Sequence, residues 1–186
     1  MLKSIDEDLI TVHGRTALGL LAAEHVAPLL VAHPPVRSDV DKCLRADWSW
    51  MESRVPDPGR LYWDHLPRLM EHDSRLPADP ALPALHCALY AHMYAVWSAE
   101  GVTNLEQPGT VLSIGNDIAD VDESYLTQCL DAAVRISPQP EQTTAWLNEL
   151  IAYLEIHQRK TPTDLIGPRL HRADFQVPVF VRRPSA

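Results

Sequence analysis

The pattern of apolar and polar positions predicts a chain of helices separated by proline-rich breaks. Arg15 to Ala32 is apolar on nearly every face, which is typical of a helix buried on most sides. Pro28 is expected to kink its last turn. A second helix, capped by Ser38 and running to about residue 54, has one apolar stripe at helical spacing. The members of this stripe are Val40, Leu44, Trp48 and Met51.

Residues 60–101 predict two further helical segments. Residues 60–72 have helical spacing, but Pro67 is expected to divide them into a kinked helix or two short turns. Asp79 is predicted to cap the next helix, which ends near Gly101. Its inward side is predicted to consist of Leu85, Leu89, His92, Met93, Val96 and Trp97. Four alanines on another side, Ala84, Ala88, Ala91 and Ala95, are small enough to let a neighbouring helix approach closely.

The last third of the chain predicts two more helices and a tail. Asp120 is expected to cap a helix with Glu123 at the position of a capping box, and residues 141–159 have the clearest helical pattern. Residues 175–181 alternate, but Pro178 restricts them to an edge strand or a docked tail. The fold prediction is all-α, with one domain over residues 1–186. It consists of a bundle of about six helices over 10–160 and a short, extended, Pro-rich basic tail over 161–186.

Charge is distributed unevenly along this predicted bundle. The chain has 25 acidic and 16 basic residues, and its net charge is −9. Residues 76–134 contain no Lys or Arg, and residues 76–158 contain eleven acidic residues and one basic residue, Arg135. Helix-end stabilisation and solubility explain some of these acids. Like charges gathered on a folded surface also steer cationic partners. We therefore expect a partner-binding acidic face formed by Asp117, Asp120, Asp122, Glu123 and Asp131.

Several features favour a cytoplasmic protein. The three cysteines, Cys43, Cys87 and Cys129, include no close pair, which argues against a disulfide framework. The first residues are acidic, unlike a signal peptide. The longest apolar region is too short and too polar to span a bilayer. Because an acidic protein is repelled by phosphates, we expect no direct binding to nucleic acid or membrane. The oligomeric state stays open.

Candidate chemistry is sparse in this sequence. Nucleophile and nucleotide-binding motifs are missing, so no catalytic residue, metal or cofactor is expected. The richest histidine cluster is His65 and His72, seven residues apart and close to Asp64, Glu71 and Asp73. The alternative hypothesis is therefore a metal-dependent helical-bundle enzyme that uses His65, His72 and nearby carboxylates. A helical scaffold or regulatory subunit is a third possibility.

The order of the helical segments along the chain is similar to that of a known group of proteins. An Ala/Leu-rich opening helix is followed by Leu44 through Trp48 and Trp50, an Ala-rich helix with Tyr90 and Tyr94, and an Asp-rich turn. Over roughly residues 10 to 160, this order resembles the helical immunity proteins of bacterial polymorphic-toxin systems. Such proteins bind a cognate toxin, often a basic nuclease, and block it. The resemblance therefore implies a non-enzymatic toxin inhibitor whose partner is a protein toxin.

Overall fold

The computed structural model describes residues 1–6, 9–76, 78, 80–106, 123–161 and 163–179. Within these ranges the chain forms six α-helices and no strand, which confirms the predicted all-α bundle. The helices are α1 (Val12–Val26), α2 (Pro34–Ser53), α3 (Pro58–Asp73), α4 (Ala81–Glu106), α5 (Glu123–Ile136) and α6 (Pro140–His157). None of the helices in the described ranges is both long enough and apolar enough to cross a membrane.

Helix α1 lies at the centre of the bundle. Fourteen of its 15 residues are buried, and it contacts α2, α4, α5 and α6. This confirms the prediction of a helix buried on most sides. The helix begins at Val12, where the Thr11 hydroxyl accepts a hydrogen bond from the Gly14 N–H. It ends in a 3-10 turn, Ala27–Leu30, at the place where Pro28 cannot donate a helical hydrogen bond.

Small residues allow α4 to pack closely against α1. A Cβ atom added to Gly19 would lie 3.8 Å from the Cα atom of Ala91 and 3.3 Å from a methyl group of Leu126. The four alanines predicted to form a small side of α4 are all buried. The prediction of a close helix approach at this side is therefore confirmed.

Three local predictions differ from the structure. α2 begins at Pro34 rather than Ser38, because proline suits the first turn, where its missing N–H would have no partner. α3 runs unbroken from Pro58 to Asp73 although Pro67 lies inside it. Pro67 is exposed, so water can bond the carbonyl that it leaves unpaired. α4 continues through Gly101 to Glu106, and burial of Gly101 outweighs its preference for a helix end.

The prediction of which residues of α4 are buried is correct for the middle of the predicted inward side and wrong at the edge of that side. Leu85, His92 and Val96 are buried. Leu89 and Met93 are half-buried, whereas Trp97 is 42% exposed. Leu89, Met93 and Trp97 follow one another at intervals of four residues, so they form one row at the border of the buried face. The predicted cap of α4, Asp79, lies outside the described residues.

The described part of the tail docks on the helices. Arg172 Nε donates to Glu24 Oε2 at 2.5 Å, and the Arg172 backbone N–H donates to Glu52 at 2.8 Å. The ring of Phe175 packs against Trp48, with 6.1 Å between the ring centroids. Of the two alternatives for residues 175–181, the described part, up to Val179, is therefore a docked tail rather than an edge strand.

Candidate functional site

The residues predicted to form the acidic face fall into two groups. Asp117, Asp120 and Asp122 lie outside the described residues, and so does the proposed capping box, which begins at Asp120. Glu123 and Asp131 are described, and both lie on α5. Glu123 is half-buried, whereas Asp131 is exposed. These two carboxylates therefore have different surroundings on the same helix.

Glu123 links three helices. Its Oε1 atom lies 2.8 Å from Arg15 Nη1 on α1 and accepts a hydrogen bond from the Tyr94 hydroxyl on α4 at 3.0 Å. The side chain of Arg15 is only 5% exposed, and Tyr94 is fully buried. Interactions of this kind, between a carboxylate and a nearly buried guanidinium, are stronger than exposed ion pairs. Glu123 therefore contributes to the packing of α5 against the core, whatever else it contacts.

Asp131, Glu141 and Glu149 have no countercharge in the described part of the chain. All three are exposed on α5 and α6, and no basic side chain of the described residues lies at ion-pair distance from them. Arg135 follows Asp131 by four residues but makes no ion pair with it. We refer to Asp131, Glu141 and Glu149 as the α5–α6 carboxylates.

The carboxylates of α2 and α3 are arranged differently. Most of them pair with a base three or four residues away on the same helix, so their charge is locally balanced. These pairs are Arg37–Asp41, Lys42–Asp39, Arg60–Asp64 and Arg75–Glu71. The exposed carboxylates of α5 and α6 therefore carry charge that no nearby base of the described residues balances, as does a smaller number of exposed carboxylates elsewhere, such as Asp57 before α3 and Glu100 on α4.

The histidines of the metal hypothesis have different neighbours. His72 Nε2 bonds Asp39 Oδ2 on α2 at 3.0 Å, and this hydrogen bond lowers the pKa of Asp39. The His65 ring instead packs edge-on against His92 of α4, with 6.0 Å between the centroids. Burial lowers the pKa of His65. His72 thus belongs to a part-buried pair with Asp39, while the half-buried His65 packs beside a buried polar cluster.

This buried cluster consists of Cys43 and Asp47 on α2 and His92 on α4, and each of them is 0% exposed. His92 Nδ1 lies 2.9 Å from Asp47 Oδ1 and 3.1 Å from Oδ2. The Cys43 thiol donates to Asp47 Oδ2 at 3.7 Å. The donor atoms of the three residues lie within 4.8 Å of one another.

The electrostatics of the cluster limit its chemistry. Burial raises the pKa of Asp47, and the nearby His92 opposes this shift. Burial also raises the pKa of Cys43 well above its usual range, and the charge of Asp47 adds to this effect. Because the thiolate is the reactive form of cysteine, Cys43 is not a ready nucleophile. The arrangement suits a hydrogen-bonded core or the coordination of a cation.

Sequence reasoning placed His92 on the inward side of α4 but did not find its partners. One signal was available, since Asp47 follows Cys43 by four residues and Val40 by seven. That spacing puts an acidic residue inside the apolar stripe of α2. A buried acid needs a partner, and the structure provides His92 from a different helix.

Comparison with protein-family models, with curated proteins and with solved structures found no match to this chain. The likeness to helical immunity proteins remains one of segment order. Function is therefore inferred from the side chains and their geometry.

Proposed function

We propose that the protein is a non-enzymatic, cytoplasmic immunity protein that binds and neutralises a cognate toxin domain with a basic surface. The observation that carries this proposal is the uneven pairing of carboxylates. Those of α2 and α3 have bases beside them, whereas Asp131, Glu141 and Glu149 have none among the described residues. Carboxylates without a countercharge create the negative field that attracts a cationic partner.

The acidic stretch of the sequence comes directly before α5 in the chain. Asp117, Asp120 and Asp122 come shortly before α5 in the chain, and we assign them to the contact together with Glu123 and the α5–α6 carboxylates. Exposed carboxylates at an interface mainly set the association rate and its dependence on salt. Glu123, bonded to Arg15 and Tyr94, supports the helix that presents them.

Neutralisation would follow from competition for the same surface. A nuclease domain attracts its substrate with basic side chains that contact phosphates. An inhibitor that places carboxylates on those side chains excludes the nucleic acid without any reaction. We place this encounter in a reducing compartment, in which the buried thiols of Cys87 and Cys129, 3.5 Å apart, stay unoxidised.

The test is binding to the product of the neighbouring toxin gene, measured by co-purification and then by association kinetics at low and moderate salt. A triple variant, Asp131→Asn, Glu141→Gln and Glu149→Gln, should associate more slowly and with a weaker salt dependence. The matched control, Asp41→Asn, Asp64→Asn and Glu71→Gln, removes the same charge from paired positions.

The control should associate like the wild type or only slightly more slowly. Equal slowing in both triple variants would show that only net charge matters, and the assignment to α5 and α6 would fail. Absence of any complex at micromolar concentrations would refute the immunity function itself. A stable complex with a host protein, and none with the toxin, would favour the scaffold hypothesis instead.

A further inference from the structure

Helices α2 and α4 bring three metal-ligating side chains together in the core, and α3 places a fourth beside them. Cys43 and Asp47 lie one turn apart on α2, His92 lies on α4, and the ring of His65 on α3 lies 6.0 Å from that of His92. We propose that these residues bind one Zn²⁺ ion, with Cys43, Asp47 and His92 as direct ligands and His65 as the fourth. This site is independent of the proposed toxin-binding surface.

The distances fit a tetrahedral ion. With Zn–S of about 2.3 Å and Zn–N or Zn–O of about 2.0–2.1 Å, neighbouring ligand atoms lie about 3.3–3.6 Å apart. Cys43 Sγ lies 3.7 Å from Asp47 Oδ2, and His92 Nδ1 lies 2.9 and 3.1 Å from the two Asp47 oxygens. Shifts on the order of 1 Å in Cys43, Asp47 and His92 would place these three ligands around the ion. His65, whose ring lies 6.0 Å from that of His92, must turn toward the ion to supply the fourth.

The charges of the site also balance. When zinc binds, the S–H bond of Cys43 breaks and a sulfur–zinc bond forms. The proton in the His92–Asp47 hydrogen bond also leaves, so that His92 Nδ1 and the Asp47 carboxylate can bind the ion. Both protons go to the solvent, and His92 keeps its remaining proton on Nε2. The thiolate and the Asp47 carboxylate then offset the two positive charges of the ion, while the two imidazoles bind as neutral ligands. A neutral assembly avoids most of the cost of burying an isolated charge.

The present hydrogen bonds do not satisfy the cluster completely. His92 bonds Asp47 through Nδ1, but its Nε2 atom is buried and has no hydrogen-bond partner in the described part of the chain. Buried polar atoms without a partner are uncommon in native proteins. Since Nδ1 is the atom that faces Asp47, Nε2 would carry the ring proton when Nδ1 binds zinc. The grouping of the three ligand atoms is what supports the site.

A zinc ion would reach the site from the side of α3. His65 is half-buried, whereas the other three ligands are fully buried. Pro67 lies two residues after His65 and cannot donate the helical hydrogen bond to the Trp63 carbonyl, which weakens α3 at this point. Because three ligands are closed off from solvent, zinc should load slowly into the folded protein and readily during folding.

The experiment therefore refolds the full chain with Zn²⁺, removes excess metal by dialysis and measures zinc by elemental analysis. The expected result is one zinc per chain, a higher melting temperature than the metal-free protein, and loss of that increase with a chelator. Refolding with Co²⁺ should give the visible bands of a tetrahedral ion and a thiolate charge-transfer band in the near ultraviolet.

Variants identify the ligands. Cys43→Ser should abolish the thiolate band. Asp47→Asn should weaken metal binding at least tenfold, because even the loss of a residue that only supports a ligand costs about 10–100-fold. The matched control is Cys87→Ser, which changes another fully buried thiol outside the cluster and should keep the band. His72→Gln should also keep it, because His72 bonds Asp39.

Two results would overturn the site. One is a refolded wild-type protein without stoichiometric metal. The other is stoichiometric zinc that persists in both Cys43→Ser and Asp47→Asn, since the metal would then bind elsewhere. If Cys43→Ser does not fold, the half-buried His65→Gln decides the matter, because unchanged zinc affinity in that variant rules out its ligand role and the four-residue site.

Discussion

The contact of Glu123 with Arg15 and Tyr94 predicts that replacing Glu123 lowers the free energy of unfolding. Glu123→Ala removes an ion pair with a nearly buried guanidinium at 2.8 Å and a hydrogen bond from a buried tyrosine at 3.0 Å. Both bonds go to a charged carboxylate, and hydrogen bonds of this kind contribute about 1.5–3 kcal/mol each. The Glu123 side chain is 21% exposed, and screening by solvent places the two bonds near or below the lower end of this range. Arg15 and Tyr94 have further interactions, so we expect only the bonds themselves to be lost.

The expected loss in the free energy of unfolding is therefore about 2–4 kcal/mol. For a chain of this length, each kcal/mol lowers the melting temperature by roughly 2–4 °C, so the total shift is roughly 5–15 °C. Glu123→Gln keeps a partner for the Tyr94 hydroxyl but removes the charge. Its effect should lie between those of the wild type and Glu123→Ala.

The assay is thermal and urea unfolding followed by circular dichroism. Asp131→Asn is the matched control, because Asp131 lies on the same helix, is exposed and makes no ion pair in the described part of the chain. Its stability should stay within about 0.5 kcal/mol of the wild type. If Glu123→Ala were as stable as Asp131→Asn, the link between α1, α4 and α5 would contribute nothing and the reasoning would be refuted.

Two further predictions concern packing and pH. Gly14→Ala should destabilise the fold, because a Cβ atom there would lie 2.6 Å from Ile10 Cγ2, and overpacking of about 1–3 kcal/mol exceeds the helix-propensity gain of about 1 kcal/mol. Urea unfolding measures this, with Gly59→Ala as a control that should be neutral or stabilising. The hydrogen bond from His72 lowers the pKa of Asp39 in the folded protein. Ionised Asp39 therefore stabilises the fold at pH values above its unfolded-state pKa of about 3.9, and this stabilisation is lost as the pH falls through its folded-state pKa. The stability difference between wild type and Asp39→Asn should therefore shrink below about pH 4, and a constant difference down to acid unfolding would contradict it.

Local patterns predicted much of the fold but not the choices made by tertiary packing. The burial of α1 and the small side of α4 followed from residues that are close in sequence. Gly101 was predicted to end a helix, yet it lies inside α4 and is buried. A glycine permits a helix to end at its position, but packing against the neighbouring helices determines whether the helix continues. The same holds for Pro67, which remains inside α3.

The candidate sites were likewise only partly predictable, because their residues are visible in the sequence but their partners on other helices are not. Asp47 is visible in the sequence as an acid within an apolar stripe, but its partner His92 comes from another helix, 45 positions further along. Such a pairing depends on how α2 and α4 cross, and periodicity contains no information about that crossing. His65 was selected from sequence because it lies with His72 in the richest cluster of histidines and acids, whereas the structure places its ring against His92.

The number of acidic residues between residues 76 and 158 overstates the unbalanced charge, because some of them form ion pairs with distant bases. The ion pairs of α2 and α3 join residues three or four apart, so they can be predicted from sequence. Glu123 and Glu155 are instead balanced by Arg15 and Lys3, from the opposite end of the chain. Two of the eleven acids between residues 76 and 158 are therefore already neutralised by distant bases. The field available to a cationic partner must come from the remaining carboxylates, and for that reason charge removal on α5 and α6 tests the function more sharply than a change in total charge.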